Sequence, residues 1–202
     1  MKNIFITGGN RGIGKGLVEI FCENYKVFFS AREESKAKSV IESIKNENIS
    51  YVIMDVADEQ SVLKGIGSLK EKTDSIDILI NNAGILIPGL KHKIDAIKTD
   101  DESILKTFNI NTVGVLRVCK AVLPIMPVSS RIINISSGMG QMEGMATGSI
   151  AYRLSKSALN ALTIVLSQEL SDKDIKVNAI CPGWVQTDMG GYDANLTVKE
   201  SV

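Results

Sequence analysis

Tyr152 and Lys156 stand four residues apart in the run Tyr152-Arg153-Leu154-Ser155-Lys156. On a helix that spacing puts both side chains on one face, about one turn apart. An isolated phenol with a pKa near 10 is a poor acid or base at neutral pH. A neighbouring ammonium favours the phenolate and lowers that value. The tyrosine could then give a proton to a carbonyl oxygen in a reduction, or take one in an alcohol oxidation. Alone, the pair reads equally well as a surface contact.

Three further groups of residues give the pair a setting. Ser136-Ser137 closes the β-rich run 131–136, and a hydroxyl at a strand's carboxyl end could hydrogen-bond a substrate oxygen and steady its developing charge. Asn81-Asn82-Ala83-Gly84 follows the run 76–80 at the same expected edge. Asn111 falls inside a long helical pattern, where a buried amide needs a reason: it caps backbone carbonyls, or it holds a water in a proton relay.

The first β-rich run leads into Thr7-Gly8-Gly9-Asn10-Arg11-Gly12-Ile13-Gly14, and a helical pattern follows. Glycines there allow a sharp turn, close approach to a pyrophosphate and tight helix packing. The helix N-terminus adds free N–H groups and positive dipole. Two readings compete. Gly9 to Lys15 approaches the mononucleotide P-loop, but Gly16 stands where the Mg²⁺-binding hydroxyl belongs. The alternative is the turn of a dinucleotide site with wider glycine spacing. The loop alone does not separate them.

The second run ends Phe28-Phe29-Ser30-Ala31-Arg32, whereas NAD sites of this architecture carry an acid near that tip for the ribose hydroxyls. Arg32, with Arg11 from the glycine loop, could instead face a 2′-phosphate, so NADP(H) is expected over NAD(H).

The elements that must position these groups alternate. Residues 3–7, 26–30, 50–55, 76–80, 131–136 and 175–181 read as buried parallel strands. Helical stripes lie between them: Ile13, Leu17, Ile20 and Phe21; Ala37, Val40, Ile41 and Ile44; Val62, Ile66 and Leu69; a pattern from 101 to 126; and another from 151 to 170 with Leu154, Ala158, Leu162, Val165 and Leu166. This alternation predicts an α/β doubly wound parallel sheet with right-handed crossovers. Without a linker or repeat, residues 1–202 are expected to form a single dinucleotide-binding catalytic domain.

Composition excludes several partners. Lys+Arg and Asp+Glu both count 23 in 202 residues, so no net field attracts nucleic acid or anionic lipid. No apolar run reaches 18 residues and no secretory leader opens the chain, so no membrane span is expected and the location expected is cytoplasmic. Cys22, Cys119 and Cys181 are far apart, suit neither a disulfide framework nor zinc, and are read as buried thiols in a reducing compartment. No metal site is expected. His92, the only histidine, is read as a surface residue.

Assembled in this order, the motifs resemble the short-chain dehydrogenase/reductase family from Met1 to about Met189: TGGNRGIG at 7–14, DV at 55–56, NNAG at 81–84, Asn111, ISS at 135–137, YxxxK at 152–156 and PGWVQTD at 182–188. The resemblance also disposes of the P-loop reading. It implies a Rossmann-type sheet of strand order 3-2-1-4-5-6 and hydride transfer between NADP(H) and a carbonyl or secondary-alcohol substrate. It implies Tyr152 as acid/base, Lys156 as its partner and as a holder of the nicotinamide ribose, Ser137 rather than Ser136 as the substrate-orienting hydroxyl, and Asn111 rather than Asn109 as the relay residue. Asp55 and Val56 correspond to adenine contacts, and Asn82, Ala83 and Gly84 to the ribose side. Pro182 to Thr187 correspond to the carboxamide-holding segment, with Gly183 in the turn, Val185 acting through its backbone and Thr187 through its hydroxyl. The Thr7/Gly9/Arg11 loop and the strand tip at Ser30-Ala31-Arg32 match the family's NADP(H)-preferring branch, and PGWVQTDMGG points to carbonyl-reductase-like members.

Two departures shape the expectations. The loop between Ser137 and Tyr152 is long and carries Met139, Met142 and Met145, an apolar substrate wall or adaptable packing. Family members also continue into a substrate-covering segment and a seventh strand, so the lid is expected to be truncated or absent and the seventh strand missing. The alternative function is a non-catalytic NADP(H)-binding sensor with an incomplete substrate pocket. Wide apolar arcs on the 101–126 and 151–170 patterns, through which family members commonly pair, predict a homodimer.

Overall fold

The computed structural model describes residues 1–87 and 96–202. In the first strand, β1 (Asn3–Ile6), successive side chains point to opposite faces. Ile4 and Ile6 pack with Val27, Phe29 and Ile80, whereas Phe5 packs with Phe28, Leu79 and Ile132. Both sets are buried. A strand apolar on both sides requires helices above and below the sheet, as a parallel arrangement provides.

That sheet contains β1, β2 (Lys26–Ala31), β3 (Ile49–Ile53), β4 (Ile78–Asn81), β5 (Arg131–Ile135) and β6 (Lys176–Ile180). All pairings are parallel and the order is β3-β2-β1-β4-β5-β6, as the sequence predicts. The chain winds outward from β1 to β3, then returns to β1's other side with β4. The carboxyl ends of β1 and β4 therefore diverge at a switch point, where such sheets open a crevice.

Helices α1 (Gly12–Phe21) and α2 (Glu34–Ile44) cover one face through Val18, Ala37 and Val40. Helix α3 (Glu59–Lys70) covers the other through Val62, Ile66 and Leu69, and its N-cap Asp58 accepts from the Gln60 and Ser61 N–H groups. The predicted α1 stripe is partly wrong. Ile20 is exposed, and the buried line runs through Gly14 and Val18.

The predicted helix over 101–126 is broken in its middle. It consists of α4 (Asp101–Phe108), a wide π-helical turn at Asn109–Val113, α5 (Gly114–Val122) and a tight turn at Leu123–Ile125 containing Pro124. The interruption falls where the Asn111 side chain reaches across to Ile85. Asp101–Ile125 is long and apolar enough to cross a membrane by length and composition. Here, though, Val115, Val118, Cys119 and Val122 are buried in the core.

Helix α6 (Ile150–Glu169) turns inward a line that shares only Leu166 with the apolar residues the sequence pattern singled out. Ala151, Ser155, Leu159, Thr163 and Leu166 are buried, while Leu154 and Val165 are exposed. Small and polar residues in that line let α6 lie close against the sheet and the π turn. The Thr112 hydroxyl donates to the Ser155 carbonyl at 2.8 Å.

Beyond β6 the chain folds back on itself. Gln186 N–H donates to Leu196 O at 2.8 Å, and Leu196 N–H to Trp184 O at 3.0 Å. A final helix, α7 (Val198–Ser201), is held by a Thr197/Glu200 capping box and packs on α1. At Gly16 a Cβ would meet Val198 Cγ1 at 2.5 Å, so only glycine permits this approach. The buried-thiol expectation holds for Cys22 and Cys119 but not for Cys181, which is exposed at the carboxyl end of β6. His92 lies outside the described residues.

Candidate active site

At the switch point the glycine loop is fixed by backbone bonds to its neighbours and by the Thr7 side chain. Thr7 N–H donates to Ile80 O at 2.9 Å, and Gly9 N–H to Ser30 O at 3.0 Å. Gly8 adopts φ +67°, and a Cβ at Gly9 would strike the Phe29 side chain at 2.5 Å. A Cβ at Gly14 would intrude on the Gly8 carbonyl oxygen. These positions need glycine for a turn and for helix-to-loop contact. The Thr7 hydroxyl accepts from the Asn82 and Ala83 N–H groups, both at 3.0 Å. The Asn82 amide donates to Thr7 O and Gly8 O at 3.0 and 3.1 Å. The NNAG segment is thus a brace for the glycine loop.

A cavity of about 1190 Å³ opens in front of this loop. Gly8, Asn10, Arg11, Gly12, Ile13 and Gly14 line its floor, and Arg32, Asp55 and Val56 line one end. Asn82, Ala83 and Gly84 form its back. Ser137, Tyr152 and Lys156 stand at the other end beside Pro182, Gly183, Val185 and Thr187. Of the residues singled out from sequence, Thr7, Gly9 and Asn111 lie behind this wall. A cleft with a helix N-terminus and a glycine cradle, and with Arg32 and Lys36 beside Glu33 and Asp55 at one end, fits a dinucleotide and offers cations to a 2′-phosphate.

The carboxyl end of β5 supplies Ser137, whose Oγ accepts from Met139 N–H at 3.1 Å. Its neighbour Ser136 is buried and donates to Asn160 Oδ1 at 2.6 Å, so Ser137 is the serine of the pair that faces the cavity. Tyr152 sits in the first turn of α6. Burial pushes its phenol up, and a hydrogen bond with Ser137 partly offsets that. Lys156 lies 5.6 Å from the centre of the Tyr152 ring, and its Nζ donates to Ile135 O at 2.7 Å. Burial brings the ammonium down to about 8. Desolvation is the largest influence on both groups. A Cβ at Gly140 would strike the Lys156 backbone at 2.6 Å, so the loop after Ser137 closes tightly on α6.

The two asparagines of the π turn separate cleanly. The Asn109 amide donates to Ala57 O at 3.1 Å, and its oxygen accepts from Arg117 at 2.7 Å. Asn111 faces the catalytic side. It accepts from Ile85 N–H at 2.8 Å and donates to Ile85 O at 2.9 Å and to Ser155 Oγ at 3.0 Å. Both of its N–H groups are occupied within the protein.

Several wall residues had no individual role assigned from the sequence, among them Cys181, Trp184 and Asp188. The Cys181 thiol faces the cavity and accepts from Gly138 N–H at 3.1 Å. The Trp184 indole is anchored by its N–H to Gly190 O at 3.0 Å. Asp188 pairs with Arg11 at 2.7 Å. Trp184 and Asp188 fall within the 182–188 motif, and Cys181 follows β6 at the sheet edge assigned to ligand binding. Of the three methionines, only Met139 lines the cavity.

Comparison with known proteins agrees with this layout. The short chain dehydrogenase family model matches residues 2–195. The chain is 35% identical over 192 residues to the oxidoreductase UcpA of Escherichia coli K12, covering 93% of this chain and 71% of that protein. Among solved structures, the carbonyl reductase Sniffer of D. melanogaster superposes with a TM-score of 0.88 at 33% identity, covering 100% of this chain and 88% of that one. The NADPH-bound carbonyl reductase from chicken fatty liver gives 0.88 at 29% identity, covering 100% and 84%.

Proposed function

The chain belongs to the short chain dehydrogenase family, and from that premise we propose an NADP(H)-dependent oxidoreductase that interconverts carbonyl compounds and secondary alcohols. The observation that carries this reading is the meeting of Ser137, Tyr152 and Lys156 at one end of the cleft that the glycine loop floors. When bound, NADPH supplies the hydride that the carbonyl carbon receives. Ser137 orients the carbonyl oxygen, and Tyr152 gives it the proton that completes the alcohol, recovering a proton from solvent afterwards. Lys156, held by Ile135 O, places positive charge beside the phenolate so formed. Asn111 positions Ile85 and α6, because its N–H groups are spent on those contacts and its side chain has no donor left for a relay water.

Cofactor preference rests on Arg32 at the β2 tip, with Arg11 in the loop, and the chicken fatty liver relative bound to NADPH supports it. The complete Ser–Tyr–Lys set supports catalysis over a binding-only sensor. We read residues 1–202 as one catalytic domain acting on a small-molecule substrate in the cytoplasm, with no nucleic-acid or membrane partner. Leu154, Ala161 and Val165 recur along one exposed side of α6, while Leu105 and Phe108 are exposed on the adjacent α4. That apolar surface supports a homodimer, which sedimentation will test.

The direct assay is NADPH consumption with ketones, aldehydes and quinones. Turnover of some member supports the assignment, and no turnover across the panel by the folded chain overturns it.

A further inference from the structure

The Arg11 guanidinium that the cofactor reading directs to the 2′-phosphate is already engaged. Its Nη1 donates to Asp188 Oδ2 at 2.7 Å. Arg11 precedes Gly12, and Asp188 follows Thr187. Those two neighbours also meet: a Cβ on Gly12 would lie 3.1 Å from Thr187 Cγ2. The ion pair thus extends a seam between the glycine loop and the segment that walls the opposite end of the cleft. The glycine loop is also tied to the β2 tip by the Gly9 to Ser30 bond, which brings the loop carrying Arg11 and the strand end carrying Arg32 to one cavity.

From this arrangement we propose that Asp188 is a cofactor-specificity residue, an internal anion that competes with the 2′-phosphate of NADP(H) for Arg11. Rearrangement of Arg11 onto the phosphate would exchange one carboxylate contact for one with a dianion, and release the 187–190 turn from the glycine loop. The pair is well suited to such an exchange because it is solvent-exposed, with side-chain accessibilities of 58% and 77%. Pairs of that kind hold weakly and are screened by salt. NADH has no 2′-phosphate to draw Arg11 away, so Asp188 opposes binding of the phosphorylated cofactor alone. The proposal rests on Arg11 being a 2′-phosphate ligand, and its test keeps the two ideas apart.

Dissociation constants for NADPH and NADH are measured by titration with the parent chain, Asp188→Asn, Arg11→Met and the double variant, at low and high ionic strength. Removal of one exposed ion pair predicts that Asp188→Asn tightens NADPH by about two- to five-fold. NADH is unaffected, the gain shrinks at high salt, and it vanishes when Arg11 is already Met. Arg11→Met alone weakens NADPH but not NADH. If that selective loss appears while Asp188→Asn leaves NADPH unchanged or weakens both cofactors alike, the competition is overturned and the Arg11 assignment stands. If Arg11→Met affects both cofactors equally, the assignment falls and takes the competition with it.

Discussion

Asn111 grips Ile85 by both of its backbone groups, accepting from its N–H at 2.8 Å and donating to its carbonyl at 2.9 Å. The same amide reaches Ser155 on α6. One fully buried side chain thereby fixes the loop behind the cofactor cleft against the helix that carries Tyr152 and Lys156. Truncation leaves those partners without their bonds, each costing about 1–3 kcal/mol when buried. Asn111→Ala is expected to lose about 2–4 kcal/mol of stability in urea unfolding, and the protein that remains folded to lose at least about tenfold in kcat.

Lys156 makes the opposite prediction for stability. Its ammonium is buried and falls from 10.5 to about 8, which corresponds to about 3 kcal/mol of cost at neutral pH. Below pH 8 the lysine is charged in both the folded and the unfolded chain, and the cost is borne in full. Between about 8 and 10.5 the folded chain has released the proton and the unfolded chain still holds it, so stability rises with pH across that window. Lys156→Met is expected to be more stable than the parent at pH 7 by about 1–3 kcal/mol, after loss of the Ile135 bond, and to lack that alkaline rise. It is also expected to be inactive. Unfolding measured from pH 7 to 10 without added cofactor checks both parts.

Arg32 follows β2 and lines the end of the cleft together with Glu33 and Lys36. Replacing it by Asp removes a charge-assisted contact and adds repulsion toward the 2′-phosphate. NADPH affinity is expected to fall about 10- to 100-fold while NADH affinity holds or improves. An unchanged NADPH/NADH ratio would remove Arg32 from the cofactor site.

Much of this arrangement was legible in the sequence because it depends on features that sequence encodes directly. Strands apolar on both sides, such as 26–31, announce a covered parallel sheet. The glycines of 8–14 answer to positive φ at Gly8 and Gly12 and to close approach of the Phe29 side chain at Gly9 and the Gly8 carbonyl at Gly14. What escaped depends on which way a side chain turns. Periodicity put Leu154 and Val165 on neighbouring faces of α6 without fixing which face turns inward, and the buried line follows Ser155, Leu159 and Thr163, because the π turn docks through polar contacts that a hydrophobic count overlooks. Asp188 is visible in the sequence only as the last residue of the 182–188 motif, and nothing there shows its contact with Arg11, 177 positions away. The pairing of Tyr152 with Lys156 was readable from spacing, whereas the burial that dominates both groups was not.

In the proposed mechanism Tyr152 supplies the reacting proton, and its hydroxyl is not required to hold the cofactor. The most direct measurement combines NADPH affinity and turnover in Tyr152→Phe, using any carbonyl compound that the parent chain reduces. Removing one hydroxyl at the reacting atoms predicts NADPH affinity within about twofold of the parent, with turnover lowered by about 10²- to 10⁴-fold. Turnover that survives the substitution at the parent's rate would contradict the account.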